Sequence, residues 1–417
     1  MERFFTEGDD FYASAFSAIR FAQDSVYLEM YIFQDDEIGR RFAAALVERA
    51  RAGCKVIVIY DRVGSFATPE KFWQTLREGG VLVYAYHPTR LNPRRPGFNI
   101  IQRIRNWLQF LRRAFLRRNH RKTLIVDERF AYTGGFNIMR ECSREIVGVS
   151  RWLDTMYMTD RPVLTHALQT YFRDSLRRIY NARRETGEFV KPIRKRVREA
   201  ILYPARAARD LPGLMPVLRK KKRGLPRGYV RMTIPRALKK LMHHSQRRIW
   251  LTYPYFVPYG AILRLLFRKA GGRRLDRIRH VERPTAVVDV RVYLSMVSDL
   301  PWMRDMTLLM AAILRRRGVR IYLFHGRETP QMEARFCHAK VALIDDWVGV
   351  GASNFDRRSF ILNLESLLLR HGAPYQSDVE RFFEFLERHS VLLDESNQNE
   401  FRAGWRAYAL YPFRRWI

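Results

Sequence analysis

The chain has 417 residues, 47% of them hydrophobic, which is enough to bury one large core or two of medium size. Lysine and arginine number 76 against 42 aspartates and glutamates, a formal net charge of +34. This excess predicts a polyanionic partner, either anionic lipid or nucleic acid. Cys54, Cys142 and Cys337 have unrelated spacings. They therefore indicate neither a disulfide framework nor a cysteine metal site, and they favour a reduced compartment.

The hydropathy pattern predicts no membrane-spanning segment. No stretch approaches the roughly 20 apolar residues that are needed to cross a bilayer. Residues 1–5 also lack the apolar core of a signal peptide. Any membrane contact is therefore expected to be peripheral.

The first half of the chain alternates predicted helices and strands. They are an amphipathic helix within residues 1–24, a strand at 25–33, a helix from Asp36 that stops at Gly53, a strand at 54–61, a helix at 69–77 and a strand at 81–84. This alternation predicts a largely parallel sheet that is covered by helices on both faces.

The second half repeats the plan, with strands at 248–252, 290–294 and 319–323 and helices at 261–270 and 307–317. Each half then reaches a copy of one motif, His-x-Lys followed by four residues and Asp. The copies begin at His120 and His338, about half a chain apart, which indicates an internal duplication. Two similar α/β lobes facing each other across a pseudo-twofold axis would bring both copies into one cleft. The predicted domains are an N-terminal lobe (1–190), a basic connector (191–227) and a C-terminal lobe (228–417).

The motif itself predicts a buried strand on which the histidine and the lysine project from the same face. A single copy would more often be an ordinary structural strand. Two copies, each followed by a Gly/Asn turn, favour catalysis on a phosphodiester. Lysine charges and asparagine amides would hold the phosphate oxygens, one histidine would attack phosphorus and the other would protonate the leaving alcohol. The residues in these roles are His120, Lys122 and Asn137 in the first half and His338, Lys340 and Asn354 in the second.

Carboxylates near the motif have two predicted roles. Asp154 and Glu365 lie in apparent strands at 151–158 and 362–369 and are expected to orient the histidines; otherwise they are ordinary strand-edge carboxylates. Asp127 and Asp345 end the motif and are expected to shape the following turn. Neither half shows a clustered carboxylate or Cys/His ligand set. We therefore expect no metal and no other cofactor, with the lysines supplying the positive charge.

The duplicated motif resembles that of the phospholipase D superfamily, over nearly the whole chain. Residues 351–359 leading into Asn363-Leu364-Glu365, and residues 28–33 before Asp36, are similar to the bacterial cardiolipin synthase branch. The resemblance implies two phospholipase D-like lobes, each a mixed, mostly parallel sheet flanked by helices, with the active site between them. It also implies transfer of a phosphatidyl group to phosphatidylglycerol through a phosphatidyl-histidine, with release of glycerol. His120 would then be the nucleophile and His338 the acid/base.

Two departures from that branch stand out. Many of these synthases begin with membrane-spanning helices, and this chain is expected to belong to the variety without them. The second turn has Gly351-Ala352 where Gly-Ser or Gly-Thr is more usual, a change that should leave Asn354 in place.

Three segments fall outside the repeat. Residues 98–119 and the C-terminal stretch combine arginines with large apolar side chains, which predicts binding to a membrane surface or, alternatively, amphipathic helices packed on the protein itself. The connector, with its basic run at 219–223, is expected to be a solvated linker with some attraction for anionic lipid. The residues expected to contact the membrane are Arg103, Trp107, Phe110, Phe115, Trp405 and Trp416.

The leading interpretation is a cardiolipin-forming phosphatidyltransferase that is bound peripherally to the cytoplasmic face of the inner membrane, with phosphatidylglycerol and cardiolipin as its lipid partners. A phospholipase D that produces phosphatidic acid would use the same residues. The third interpretation, an enzyme or binder of nucleic acid, suits the net charge equally well. Helical stripes of Trp, Phe, Leu and Ile in the basic segments argue against it, so a nucleic-acid partner is not expected. Intact copies of every motif residue argue against a non-catalytic scaffold.

Overall fold

A computed structural model of the chain describes residues 1–86, 118–185, 214–216, 234–271, 287–327, 332 and 335–413. The first lobe consists of β1 (Glu2–Phe5), α1 (Gly8–Arg20), β2 (Ser25–Met30), α2 (Glu37–Arg51), β3 (Lys55–Asp61), α3 (Glu70–Glu78), β4 (Leu82–Tyr86), β5 (Thr123–Val126), β6 (Phe130–Gly134), α4 (Arg144–Val147), β7 (Met156–Thr159) and α5 (Pro162–Glu185).

The second lobe repeats the strand–helix plan on a second sheet. Its elements are β8 (Leu214–Pro216), α6 (Ile234–His244), β9 (Arg248–Thr252), α7 (Gly260–Lys269), β10 (Asp289–Ser295), α8 (Pro301–Arg315), β11 (Arg320–Phe324), β12 (Val341–Ile344), β13 (Trp347–Gly351), α9 (Arg357–Ile361), β14 (Leu367–His371), α10 (Gln376–Arg388), β15 (Ser390–Leu392) and α11 (Trp405–Leu410).

Local sequence signals explain how helix α2 begins and ends. The Asp36 carboxylate accepts a hydrogen bond from the Gly39 amide and so caps the helix. Phe42 and Leu46 then recur at helical spacing and are buried. The helix ends before Gly53, whose φ of 94° lies in the region that glycine adopts without strain. The start and the stop predicted for this helix are confirmed.

The two-lobe α/β architecture with mixed sheets is confirmed, but the expected proportion of parallel pairing is wrong. The sheets run β1-β7-β6-β5-β2-β3-β4 and β15-β11-β10-β9-β12-β13-β14-β8. Among the described strands, parallel pairing is confined to β2–β3–β4 and β9–β10–β11, and the other strand pairs are antiparallel. The reason is local: β5–β6 and β12–β13 are hairpins, and a short turn can join only antiparallel strands.

Strand β1 was not predicted from the sequence. Its four residues pair antiparallel with β7, at the edge of the first sheet. The Phe4 ring packs across the lobe boundary against Tyr375 and Phe382 of the second lobe. The first residues of the chain therefore help to join the lobes, a role that depends on contacts far away in sequence.

Some of the predicted segments lie outside the residues that the structure describes. They include Arg103, Trp107, Phe110, Phe115, Trp416 and all of the connector except 214–216, which forms β8 beside β14. At the end of the predicted membrane segment, Asn119 forms a bridge with Leu364 instead of continuing a helix. Across the described ranges, no helix is both long and apolar enough to span a bilayer.

Candidate active site

Both histidines lie where the two lobes pair with each other. The His120 amide donates to the Leu364 carbonyl at 2.9 Å, and the His338 amide donates to the Leu153 carbonyl at 2.6 Å. These contacts belong to two short parallel bridges, Asn119 with Leu364 and Leu153 with Cys337. Each histidine segment therefore runs beside the segment of the other lobe that leads to the predicted carboxylate.

The predicted histidine-orienting carboxylates do contact the histidines, and they do so across the lobe boundary. Asp154 of the first lobe places Oδ2 2.7 Å from Nδ1 of His338. Glu365 of the second lobe places Oε2 3.1 Å from Nδ1 of His120. All four side chains are buried. Neither lobe alone would hold a histidine together with its carboxylate.

The surroundings of His120 assign its tautomer. Nδ1 faces two acceptors, the Glu365 carboxylate and the Ala352 carbonyl at 2.9 Å, so this nitrogen must carry the proton. Nε2 then has a free lone pair. Among the residues described, no group forms a hydrogen bond with this nitrogen. His120 is thus held with a nucleophilic nitrogen available.

His338 has a different neighbourhood. Its Nδ1 lies 2.7 Å from both Asp154 Oδ2 and the Lys340 ammonium, which also contacts the His338 carbonyl. Burial, and then the neighbouring Lys340 charge, lowers the pKa of His338 to about 4. Burial raises the pKa of Asp154, but Lys340 and His338 outweigh it, so its pKa is lowered and it remains a carboxylate. Asp154 can therefore stabilise an imidazolium when His338 takes up a proton.

The two motif lysines are completely buried. Lys122 donates to the His120 carbonyl at 2.9 Å and lies 5.1 Å from the Tyr31 ring centroid. Burial, and then the nearby Lys340 charge, lowers the pKa of Lys122 to about 7. Burial also lowers the pKa of Lys340. Two buried cations in one interface create a strong attraction for an anion.

Asn137 and Asn354 lie in the turns after β6 and β13, as predicted, but neither contacts a histidine through a described hydrogen bond. Asn137 Oδ1 accepts from the Ile32 amide at 3.1 Å. Its Nδ2 and the Oδ1 of Asn354 are buried without a partner in the described part of the chain. Phosphate binding by these amides stays a prediction.

The last residue of each motif organises the start of a strand. The Asp127 carboxylate accepts from the amides of Gln23, Asp24 and Ser25, just before β2. Asp345 does the same for Gln246, Arg247 and Arg248 before β9. Both aspartates adopt a φ of 50°. Their backbones lie in the hairpin turn, while their side chains hold a different loop.

The first Gly/Asn turn requires glycine because of the carboxylate behind it. A β-carbon at Gly135 would collide with the Asp154 carboxylate. The matching position in the second lobe is Ala352, whose carbonyl accepts from His120. Ala352, the residue that departs from the usual second turn, is therefore in direct contact with the first histidine.

Several site residues were not found from the sequence. The Asp61 carboxylate accepts from the amide of Asn119 at 2.9 Å, and Ser295 Oγ accepts from the amide of Cys337 at 3.1 Å, so each fixes the residue before a histidine. For Asp61 and Ser295 the only sequence signal was their position at the ends of β3 and β10, which many non-functional residues share.

Aromatic rings also line the histidines. The Tyr31 ring lies 4.5 Å from His120, and the rings of Phe336, Trp152 and Tyr255 lie 5.3, 5.6 and 6.4 Å from His338.

Arg121, between the first histidine and its lysine, was also missed. It is buried and donates to the Glu365 carbonyl at 3.3 Å, the Tyr171 carbonyl at 3.0 Å and Ser175 Oγ at 3.1 Å. It therefore fixes the backbone of the residue whose carboxylate contacts His120. The corresponding position of the second motif is Ala339.

Within the described ranges, no three His, Cys, Asp or Glu side chains are grouped closely enough to hold a metal ion. The expectation of a metal-independent reaction stays a prediction.

The duplicated lobes and the paired His-Lys sites define an enzyme of the phospholipase D superfamily. A family model described as "Cardiolipin synthase, PLD-like domain" matches residues 16–176 and 238–386, one segment in each lobe. The chain belongs to this family.

Comparisons with individual proteins agree with the family. The chain is 29% identical over 399 residues to cardiolipin synthase A of Pseudomonas fluorescens Pf-5, covering 95% of the chain and 71% of that protein. It is 30% identical over 389 residues to cardiolipin synthase A of Pseudomonas putida KT2440, covering 93% and 68%.

Solved structures show the same fold. The crystal structure of phosphatidylserine synthase from Haemophilus influenzae matches with a TM-score of 0.65, covering 99% of this chain and 93% of that one at 14% identity. Polyphosphate kinase from Porphyromonas gingivalis matches with a TM-score of 0.54, covering 99% of this chain and 52% of that one, also at 14% identity. At these identities the likeness concerns the fold alone.

Proposed function

We propose that this protein is a phosphatidyltransferase that makes cardiolipin from two molecules of phosphatidylglycerol through a phosphatidyl-histidine. The observation that carries the proposal is the crossed site, in which two His-Lys pairs are each completed by a carboxylate of the opposite lobe. Membership of the cardiolipin synthase family and the names of the relatives support the lipid substrate.

In the first step, His120 Nε2 attacks the phosphorus of phosphatidylglycerol. The N–P bond forms, the bond from phosphorus to the glycerol headgroup oxygen breaks, and protonated His338 gives its proton to that oxygen. Glu365 retains the Nδ1–H of His120 as positive charge develops on the ring. His338 is neutral before substrate binds because burial lowers its pKa. A bound phosphate anion opposes that shift and favours the protonated acid.

In the second step, a hydroxyl of another phosphatidylglycerol headgroup attacks the phosphatidyl-histidine. His338, now neutral, takes the hydroxyl proton while the new O–P bond forms and the N–P bond breaks. The products are cardiolipin and free His120, so atoms and protons balance over the cycle. If water enters instead, the product is phosphatidic acid.

Lys122 and Lys340 hold the phosphoryl oxygens through both steps, with the Asn137 and Asn354 amides as further contacts. Buried lysine charge acts on the developing charge of the transition state in a poorly screened site, where it is most effective. We place the enzyme at the cytoplasmic face of the inner membrane, where the +34 charge would attract anionic lipid.

Purified protein with phosphatidylglycerol vesicles provides the direct test. We expect cardiolipin and glycerol as products. His120→Ala and His338→Ala should each lower turnover by about a thousand-fold or more, because each removes a group that the covalent mechanism needs. His371→Ala, at an exposed histidine outside the site, is the matched control and should retain activity.

The intermediate needs its own measurement. Phosphatidylglycerol labelled at phosphorus should leave label on protein denatured at neutral pH, and His120→Ala should carry none. Turnover that survives both histidine substitutions would rule out the mechanism. Phosphatidic acid as the main product would indicate hydrolysis, and cleavage of plasmid DNA in a parallel incubation would favour the nucleic-acid interpretation.

A further inference from the structure

Exposed apolar side chains lie on the loops that follow two equivalent strands. Asp61 ends β3 and Ser295 ends β10, and each fixes the residue before a histidine. In the loop after β3, Val63 is 43% exposed and Phe66 is 82% exposed. In the loop after β10, Leu300 is 37% exposed. Isolated apolar residues are common on surfaces, but these occupy matching places in the two lobes.

The first of these loops rests directly on the wall of the His120 site. Ser65 Oγ donates to the Tyr31 carbonyl at 3.2 Å, and Gly64 packs so closely on the Tyr31 ring that a β-carbon would collide with it. Tyr31 in turn makes an edge contact with the His120 ring. Phe66 therefore lies at the rim of the site, only two residues from the Tyr31 contact.

The second loop has the same relation to His338. The Tyr255 hydroxyl donates to the Asp299 carboxylate, and the Tyr255 ring faces His338. Leu300 follows Asp299 directly and precedes helix α8. Each lobe thus links a rim loop to its histidine through a tyrosine.

Helix α11 extends this rim on the second lobe. It packs against α8, and Gly404 lies against Asp305 in the first turns of that helix. Trp405 is 76% exposed and Tyr408 is 60% exposed on α11. The next residues return to the site, because Tyr411 packs against the cluster that contains Tyr255 and Phe336.

We infer that Val63, Phe66, Leu300, Trp405 and Tyr408 form a rim surface that inserts into the interface of an anionic bilayer. The inference rests on the proposed function. A diacyl substrate resides in the bilayer and its phosphorus must reach the cleft, so apolar side chains on both sides of the cleft would dock the cleft against the bilayer. The net charge of +34, with Arg62 exposed beside Val63, complements anionic headgroups.

The charge favours a bilayer as the occupant over a second copy of this chain. Two copies that each carry +34 would repel one another, whereas an anionic surface attracts the protein. Aromatic and aliphatic side chains beside basic residues are typical of proteins that lie in the membrane interface. The segment 98–119 is a separate membrane-binding prediction that this inference does not need.

The test is cosedimentation of Phe66→Ser/Leu300→Ser with phosphatidylcholine vesicles that contain phosphatidylglycerol. We expect affinity to fall by at least about ten-fold, since two apolar contacts with the interface are lost. Activity on short-chain phosphatidylglycerol below its micelle concentration should stay near that of the parent, because neither side chain touches a histidine.

The matched control is Phe21→Ser/Val287→Ser. Phe21 and Val287 are 69% and 75% exposed. They precede β2 and β10, so they lie at the starts of these strands, whereas the rim loops lie at strand ends on the side of the histidines. This variant should bind vesicles like the parent. Unchanged vesicle affinity of Phe66→Ser/Leu300→Ser would overturn the inference. A second copy of the chain would be the occupant instead if the parent sediments as a dimer and this variant sediments as a monomer with its vesicle binding intact. The two proposals can fail separately. If neither the parent nor any variant transfers phosphatidyl groups, but Phe66→Ser/Leu300→Ser still binds vesicles more weakly than the parent, the proposed function fails and the rim surface stands.

Discussion

His120 and His338 share a motif but differ in the atoms around them. Two acceptors fix the proton on Nδ1 of His120, whereas Nδ1 of His338 lies between a carboxylate and an ammonium group. The first arrangement leaves Nε2 free to attack. The second responds to added negative charge by taking up a proton. This difference between neighbours supports the division of labour into nucleophile and acid/base.

The lowered pKa of Lys122 predicts how the reaction depends on pH. Burial lowers this pKa to about 7, so the ammonium is charged below that pH and loses its charge as the pH rises through it. His338, also shifted downward by burial, must be protonated to act as the acid, which favours the same side. We therefore expect kcat/KM to fall by about ten-fold per pH unit, or more steeply, above pH 7.

The measurement is a pH profile on monomeric short-chain phosphatidylglycerol, which removes vesicle binding from the result. Residual activity of Lys122→Met should show no inflection near pH 7. The assignment fails if kcat/KM of the parent rises with pH between 7 and 9.

At the level of secondary-structure elements, the site depends on short strands with firmly held ends. Strands β5 and β12 have only four residues each, and the histidines and lysines precede them in extended segments. What holds these segments in place is pairing with the other lobe and the aspartates at the far ends of the strands. A turn after each motif is predicted from the sequence, but the loop that each aspartate holds is not, because its partners are about a hundred residues away.

Asp345→Ala should destabilise the second lobe. The substitution removes acceptors for three backbone amides and places alanine at a φ of 50°. We expect the free energy of unfolding to fall by about 2 kcal/mol or more. Thermal unfolding measures this, with Glu48→Ala, an exposed helical carboxylate, as the control that should change stability by less than about 0.5 kcal/mol. An unchanged melting temperature in Asp345→Ala would contradict the assigned role.

At the scale of the whole molecule, the lobes exchange carboxylates in the sense that the carboxylate of each lobe contacts the histidine of the other lobe. Asp154 lies 184 residues from His338, and Glu365 lies 245 residues from His120. Extended bridges and the Phe4 contacts hold the lobes so that this exchange is possible. One chain therefore contains both histidines and both carboxylates of one complete site.

Coexpressed His120→Ala and His338→Ala chains should consequently show no recovered activity. Each chain lacks one histidine of its own site and cannot borrow it, because both lobes of the site belong to one chain. The assay is phosphatidyl transfer by the copurified, differently tagged pair. Partial recovery of activity would mean that lobes are exchanged between chains.

The sequence by itself predicted the candidate reacting groups, the duplication and the strands that pair in parallel. The motif His-x-Lys-x4-Asp can be recognised because its residues are close in sequence. Strands β2, β3, β9 and β10 can be predicted because their hydrophobic patterning depends on local spacing. The sequence also identified Asp154 and Glu365 as candidates. Which histidine each one contacts was decided only by the tertiary structure, since that contact joins opposite lobes.

The same reason applies to the protonation of the site and to its rim. The tautomer of His120 depends on Ala352 and Glu365, and the lowered pKa of Lys122 depends on burial between lobes. Phe66 and Leu300 lie in two unrelated stretches of sequence, and only the fold places their loops against the tyrosines that face the two histidines. Local pattern therefore predicts the reacting groups, whereas their charge, orientation and access arise from contacts between residues that are far apart along the chain.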